Sequence, residues 1–564
     1  MSLESSTTEV IPEIRPPTQE ETNAGVARAS SIVAMGNLAG RVLGLAREIV
    51  LTNLFGASRA VDAFNVAIIV PKALYDLLIG GHVNSALVPV LSEVVTRDGR
   101  KALWQLVSVL CSLLTVALAL IVLGLEVFAP QIVNIVSGGF DAQTLELATG
   151  LLQLTAPALI FLGLFAVLSG TLYALREFTW PAFAVMVFNG TIVVMSLVFA
   201  PQIGVRPVMQ NGQAMLQVAR PDAGIIVVTL GWLVGSFAQM ALQLPGMRGA
   251  RLHFTLNWRH PALRQIVLLY APVMFSLVMD TLVIRTFSYN LASQTGEGSI
   301  GYMTWATTLI QFPQGLVATA ISIAILPTLS RQAALIAAEG DKAFKDTLGL
   351  GLRLTMTLIL PAAVGLFVLG TPIVMLLFQH GAFDATATQM TTLAMRLYLV
   401  GLPFAALDLL LVYAFYARQD TLTPALVGVF SLALYMLVAV MLFPRFGLFS
   451  LMIADSCKHI VHALVSALLL RRRLQGMGEQ RLMLTLGKTA LAAGAMGLVA
   501  AIILPPLTAW IGTNTLIREA LLVTLAGGVS TAVFVGMAMW LRLEELRWVS
   551  DLLARRLGLR RSVH

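Results

Sequence analysis

About fourteen apolar stretches run through this chain, near residues 31–54, 63–92, 104–128, 146–173, 181–200, 223–245, 265–291, 301–326, 349–378, 388–416, 423–443, 448–470, 485–506 and 516–540. A helix needs ~20 such residues to cross ~30 Å of hydrocarbon. In lipid each backbone N–H and C=O must also find its partner inside the protein, so apolar runs of this length become helices. The fold expected is therefore an all-α polytopic membrane protein with about fourteen transmembrane helices. At 57% hydrophobic and 12% charged, the chain is far from a soluble domain, which is about half apolar and a quarter charged.

The formal net charge is +8, a balance that in a soluble chain would suggest nucleic acid. Here the cations fall by loop. With the N-terminus inside, cytoplasmic loops hold Arg97, Arg100, Lys101, Arg176, Arg248, Arg251, Arg259, Arg264, Arg331, Lys342, Lys345, Arg418, Arg471 to Arg473, Arg481 and Lys488. The outer loops keep Arg59, Arg206, Arg220, Arg445 and Arg518. With the tail arginines included, the bias is roughly fourfold, which places both termini in the cytoplasm and calls for no nucleic-acid partner. Residues 1–27 are polar, acidic and proline-bearing and read as a disordered cytoplasmic tail, with no cleavable leader. Residues 542–564 alternate apolar and basic side chains at helical spacing. They read either as an interfacial helix on anionic lipids or as a solvated basic tail. Cys111 and Cys457 lie inside apolar runs and read as packing residues.

Two internal matches point to a duplication. Tyr173-Ala174 and Pro181-Ala182 flank a polar turn at the same spacing as Tyr416-Ala417 and Pro424-Ala425. Val88-Pro89-Val90-Leu91-Ser92 matches Leu326-Pro327-Thr328-Leu329-Ser330 at nearly the same offset. The expected layout is a six-helix lobe over 28–246, a basic linker over 247–264, a second six-helix lobe over 265–471 related by a parallel repeat, and two further helices over 472–541.

Charge inside such helices costs at least ~2.5–3.5 kcal/mol, so it marks a watery cavity or a partner. The densest case is Ser30 to Glu93, which carries Arg41, Arg47, Glu48, Asp62, Lys72 and Asp76. Arginine suits pyrophosphate because its planar donor fork pairs bidentately with phosphate oxygens. Gly40 and Gly44 leave room for local unwinding between the two arginines. Arg47 and Glu48 read equally as a pair at the membrane edge, and Asp62 as a first-turn acid favoured by the helix dipole. In the second half, Asp280 and Asp408 are candidates for a coupling cation or proton. The alternatives are that Asp280 pairs with Arg285 and that Asp408 caps a broken helix. Asp455 and Lys458 are spaced to neutralise one another. His82, His380, His459 and His462 are scattered, and no metal motif, nucleophile triad or phosphate-binding glycine loop sits in a suitable context, so no enzyme chemistry and no cofactor is expected.

Arg41-Val-Leu-Gly-Leu-Ala-Arg47-Glu48 followed by Phe55-Gly-Ala…Asp62-Ala-Phe resembles the opening signature of the MurJ (MviN) family of lipid II flippases. Phe378-Gln379-His380-Gly381-Ala382-Phe383 and Phe415-Tyr416-Ala417-Arg418-Gln419-Asp420-Thr421…Thr423-Pro424 resemble the same family. The resemblance implies a V-shaped pair of six-helix lobes in the superfamily of multidrug and oligosaccharidyl-lipid exporters. It also implies a lipid-tail groove on helices 13 and 14, and alternating-access movement of undecaprenyl-pyrophosphate-linked peptidoglycan precursor to the outer leaflet. It places Arg41, Arg47 and Asp62 at cavity positions, with Glu48 where the family has Asp. It implies departures as well: Tyr75 and Asp76 stand where the family's second helix carries arginine, Gly80 where it carries an acid, and Thr308 where the eighth helix carries a cavity arginine. Arg285, one helix away, is the candidate substitute.

The substrate-binding set expected is thus Arg41, Arg47, Glu48, Asp62, Lys72, Asp76, Arg285 and Thr308, with Asp280 and Asp408 for Na+ or H+ coupling. Expected partners are the lipid-linked pyrophosphate, anionic lipids and cell-wall synthesis proteins. Two readings stand beside this one: export of another lipid-linked glycan or amphiphile, and a scaffold that transports nothing.

Overall fold

The computed structural model describes residues 19–73, 82–203, 205–210, 213–258, 263, 266 and 279–545. Its first lobe comprises α1 (Gln19–Phe55), α2 (Arg59–Ala67), α3 (His82–Arg97), α4 (Gly99–Val136), α5 (Ala142–Thr155), α6 (Ala158–Ala174), α7 (Thr179–Phe199) and α8 (Pro221–Ala241). The second comprises a π-helical turn at Met279–Ile284, α9 (Arg285–Ser293), α10 (Ser299–Pro313), a second π-helical turn at Gln314–Thr319, α11 (Ala320–Glu339), α12 (Lys342–Val368), α13 (Gly370–Phe378), α14 (Ala385–Ala417), α15 (Leu422–Phe446) and α16 (Phe449–Arg473). α17 (Leu482–Ile511) and α18 (Leu516–Trp540) pack on each other, and α17 lies along α12. Among the described residues, eleven helical stretches are long and apolar enough to cross a membrane. α1 covers a twelfth expected span, and the expected spans 63–92 and 265–291 run partly through residues outside the described set. The described part of α1 is already helical at Gln19, eight residues before the expected end of the N-terminal tail.

Among the described residues, the one departure from an all-α fold is an antiparallel hairpin between α7 and α8, β1 (Val205–Gln210) and β2 (Gln213–Val218), in register Val205↔Val218 to Gln210↔Gln213.

The duplication has a backbone signature. α6 ends with Arg176 at φ 62°, and Glu177 N–H donates to Leu172 O at 2.8 Å. α14 ends in the same way, with Gln419 at φ 60° and Asp420 N–H donating to Phe415 O at 3.0 Å. Both are Schellman caps, and both put a non-glycine residue in the left-handed position that usually takes glycine. Pro89 and Pro327, from the other repeated segment, each lie inside an unbroken helix, α3 and α11.

Lipid offers little hydrophobic drive between helices, so close approach through small residues does the work. On α1, Gly36, Gly40 and Gly44 form a stripe against α7. A Cβ on Gly36 would overlap the Ala182 carbonyl, and one on Gly40 would sit 2.9 Å from Val185. Gly40 and Gly44 were expected to permit unwinding. Instead α1 runs unbroken through them, because the stripe is occupied by packing.

Candidate functional site

The two lobes meet along a seam that is latched at one end. The turn after α1 supplies one half of the latch: a Cβ on Gly56 would overlap the carbonyl of Ala382, and Ala57 packs on Gly298. The turn between α13 and α14 supplies the other. Ala382 N–H donates to Asn53 O at 2.8 Å, and Gly381, at φ +63°, lies against the Asn53 backbone. Around it, Arg59 N–H donates to Glu297 Oε1 at 2.8 Å, Asn290 Nδ2 to Ile135 O at 2.8 Å, and Gly139 N–H to Ser293 Oγ at 3.1 Å. Arg59 is held in place by Asp222 at 2.6 Å, and that hydrogen bond raises the guanidinium pKa above its ordinary value.

Asp62 is the centre of the latch. It sits in the first turn of α2, 1% exposed, and accepts from Gly298 N–H at 2.7 Å and Gly301 N–H at 2.9 Å. Those are orphan donors at the start of α10, where the helix dipole favours an anion. Gly298, at φ +82°, has the left-handed geometry that turns its N–H toward the carboxylate. Asp62 is thus a first-turn acid that also caps a helix of the opposite lobe.

Arg41 lies twelve residues before Asn53, which along an α-helix is about 18 Å from the latch. It is exposed, and its guanidinium lies on Gly315, so closely that a Cβ there would overlap it. Gly315 belongs to the second π-helical turn, a feature that recurs at functional sites. Arg41 therefore crosses the seam. Arg47 does not: six residues rotate it about 240° from Arg41. Its Nη2 donates to Glu48 Oε1 at 2.6 Å and its Nη1 to Asn189 Oδ1 at 3.1 Å, with the guanidinium 5.5 Å from the Trp232 ring centre. Asn189 Nδ2 in turn donates to Gly40 O at 3.2 Å, which ties the pair to the glycine stripe. Glu48 is buried. Neither Asn189 nor Trp232 was singled out from sequence. Asn189 inside an apolar span was the available signal.

The other expected residues are dispersed. Lys72 is half-buried, just before the end of the described segment, and Tyr75, Asp76 and Gly80 lie outside the described residues. Arg285 is half-buried at the start of α9, directly after the first π-helical turn, whose backbone includes Asp280. Thr308 spends its hydroxyl on Thr304 O at 3.0 Å, within α10. Asp408 meets His462 on α16, away from the seam, at 2.6 Å. Lys458 and Asp455 form the expected pair at 2.7 Å.

On the outer surface, α12, α14 and α17 enclose an apolar cleft of about 340 Å³, lined by residues such as Met356, Ile359, Phe367, Pro403, Phe404 and Leu486. Nothing on its walls would hold a headgroup. Its chemistry suits an alkyl chain.

Two helical lobes related by a repeat, latched at one end and bridged by a cation deeper in the seam, define a membrane carrier of the alternating-access kind. The model of the family described as lipid II flippase MurJ matches residues 51–520, and the chain belongs to that family. It is 30% identical over 459 residues to the lipid II flippase MurJ of Burkholderia cenocepacia, covering 79% of this chain and 84% of that one. It is 27% identical over 540 residues to a protein named Probable lipid II flippase MurJ in Vibrio cholerae, covering 93% and 98%. Among solved structures it resembles a lipid II flippase MurJ in an inward closed conformation, with TM-score 0.69, 23% identity, and 89% and 98% of the two chains covered. It also resembles an inward-facing multidrug resistance MATE transporter of the MOP superfamily, with TM-score 0.61, 14% identity, and 78% and 96% covered.

Proposed function

We propose that this protein carries undecaprenyl-pyrophosphate-linked peptidoglycan precursor, lipid II, from the inner to the outer leaflet of the bacterial cytoplasmic membrane. The single observation that carries the reading is the seam: Asp62 closes one end on the α10 N-terminus, while Arg41 crosses to Gly315 about 18 Å deeper. With both termini in the cytoplasm, as the loop cations require, the latched end faces outward and the seam below it is approached from inside. A pyrophosphate entering there meets Arg41 first, and its charge competes with Glu48 for Arg47. Lys72 and Arg285, with Asp76, belong to the same polar set in this reading. The polyprenyl tail stays in lipid along α17, α18 and the apolar cleft, since burying a long alkyl chain in a polar seam would forfeit ~0.8 kcal/mol per CH₂. Binding must favour one access state over the other to shift the equilibrium, and breaking Asp62 from α10 is the step that opens the outer end. Cell-wall synthesis proteins that supply or consume the precursor are its expected neighbours, and anionic lipids contact its basic tail.

One observation favours a second reading. Thr308 has its hydroxyl bonded to its own helix and stands where the sequence resemblance implies an arginine, which would leave the seam with less positive charge. A lipid-linked glycan with a smaller anionic headgroup would suit it.

The test is complementation of a strain depleted of its own lipid II flippase. It compares wild type, Arg41→Ala and Arg285→Ala, with membrane levels matched. Rescue by wild type and loss in both variants supports lipid II transport with Arg285 as the substitute cation. No rescue by wild type at normal membrane level favours the second substrate.

A further inference from the structure

The second lobe carries a charged pocket that the seam does not use. It lies between α12, the start of α17 and the chain just after α18, and encloses about 50 Å³. Arg353 of α12 holds its frame together. Its Nη1 donates to Gln480 O at 2.7 Å, and its Nε lies 2.7 Å from Oε1 of Glu545, which is buried. Gln480 is buried as well, with Nε2 donating to Asp346 Oδ1 at 3.1 Å. Three segments distant in sequence are thus tied at one point.

Arg353 and Glu545 neutralise each other. The remaining charge on the walls is Arg481, Lys488 and Arg542 against Glu544, a surplus of two positive charges. None of those three cations has an ion-pair partner among the described residues. Thr485, buried on the same wall, makes no side-chain hydrogen bond among them either. Two of the cations stand on left-handed backbone, Arg481 at φ 51° and Arg542 at φ 53°. Residues other than glycine rarely take that conformation, and it recurs where a site is built. Arg542 takes it in the Schellman cap that ends α18, with Leu543 N–H donating to Ala538 O at 2.9 Å. Arg481 takes it as the residue before α17. Two helix ends therefore each deliver an arginine to one pocket.

A buried water needs about 10–15 Å³, so the pocket admits about four water-sized groups. That is the scale of a phosphate and far below that of a glycosyl or peptide headgroup. Arginine and lysine are the side chains that pair with phosphate oxygens. With the N-terminus inside, the start of α17 and the end of α18 lie at the cytoplasmic face. Beside the pocket there, Met483, Leu484 and Trp540 are exposed. A soluble anion has no use for that apolar flank, whereas a lipid does.

We propose that the pocket holds the phosphate of an anionic glycerophospholipid from the cytoplasmic leaflet. Arg481, Lys488 and Arg542 take the phosphate oxygens, and the acyl chains lie along Met483, Leu484 and Trp540. The lipid bridges the start of α17 to the end of α18, beside the ion pair that ties both to α12, and so fastens the C-terminal helix pair to the second lobe. The site is independent of the headgroup that the seam carries.

The test is native mass spectrometry of the full chain in detergent, titrated with phosphatidylglycerol, phosphatidylcholine or inorganic phosphate. One phosphatidylglycerol is expected to stay bound where phosphatidylcholine is lost, and excess inorganic phosphate is expected not to displace it. Arg542→Gly removes a cation while suiting the left-handed position, and Lys488→Gln removes another within its helix. Each should weaken phosphatidylglycerol about tenfold, the scale of one charge-assisted hydrogen bond. Arg331→Gln, at an exposed cation of α11, should leave binding unchanged. Equal retention of the two lipids overturns the proposal, and so does displacement by inorganic phosphate, which marks a site for free anions. Those arms use wild type alone and stand even if a variant fails to fold. Wild-type affinity in both variants overturns it too, as does an equal loss in Arg331→Gln, which marks diffuse attraction to a basic face. Complementation of the depleted strain bears on the lipid II reading separately, so either can fail without the other.

Discussion

Arg47 and Glu48 adjoin in sequence and pair at 2.6 Å in a pocket closed by Asn189 and Trp232. Removing the cation leaves Glu48, 6% exposed, without it. Arg47→Ala is therefore expected to lower stability by about 1–3 kcal/mol, discounted from the 3–5 of a fully buried pair because Arg47 is partly exposed. Thermal unfolding in detergent checks this, and a Glu48→Gln partner should recover part of the loss in a double-mutant cycle. Gly315 separates stability from function in the opposite way. Alanine is favoured over glycine in a helix by about 1 kcal/mol, and the atom its Cβ would strike is the movable end of Arg41. Gly315→Ala is expected to hold or slightly raise stability while complementation falls. If complementation is unchanged, Arg41 does not act across the seam.

At the scale of elements, the latch joins two turns and one helix end. The segments Phe55-Gly56-Ala57 and Gly381-Ala382, distant in sequence and both carrying the family resemblance, are its two halves. Asp62→Asn keeps one acceptor but turns an amide N–H₂ toward a backbone N–H of α10. The expected cost is about 1–3 kcal/mol to the latched end, or about 5–150-fold in the closed-to-open ratio. Cross-linking between engineered cysteines on the two sides of the latch should fall accordingly. An unchanged cross-linking yield would show that Asp62 does not hold the end closed. The glycine stripe of α1 teaches the same lesson from within one lobe. In sequence, Gly40 and Gly44 look like points of weakness, whereas against α7 they are where two backbones approach most closely.

For the whole molecule, the loop cations predict that a reporter fused after His564 is active only in the cytoplasm. Alkaline phosphatase activity from that fusion would reverse the orientation and turn the latch inward. The all-α membrane fold, the repeat and the family were legible in the sequence, because hydrocarbon thickness and backbone satisfaction leave a long apolar run one outcome. The Asp455–Lys458 pair was legible too, since spacing within one helix sets it. Which charged groups meet across the seam was not. Rotation about a helix axis and contact between lobes depend on residues hundreds apart: Asp62 finds Gly298 and Arg41 finds Gly315. Sequence alone determined that charge had to be sheltered inside this protein. Only the tertiary structure decided with what, because each buried charge takes the partner that packing brings within hydrogen-bond reach.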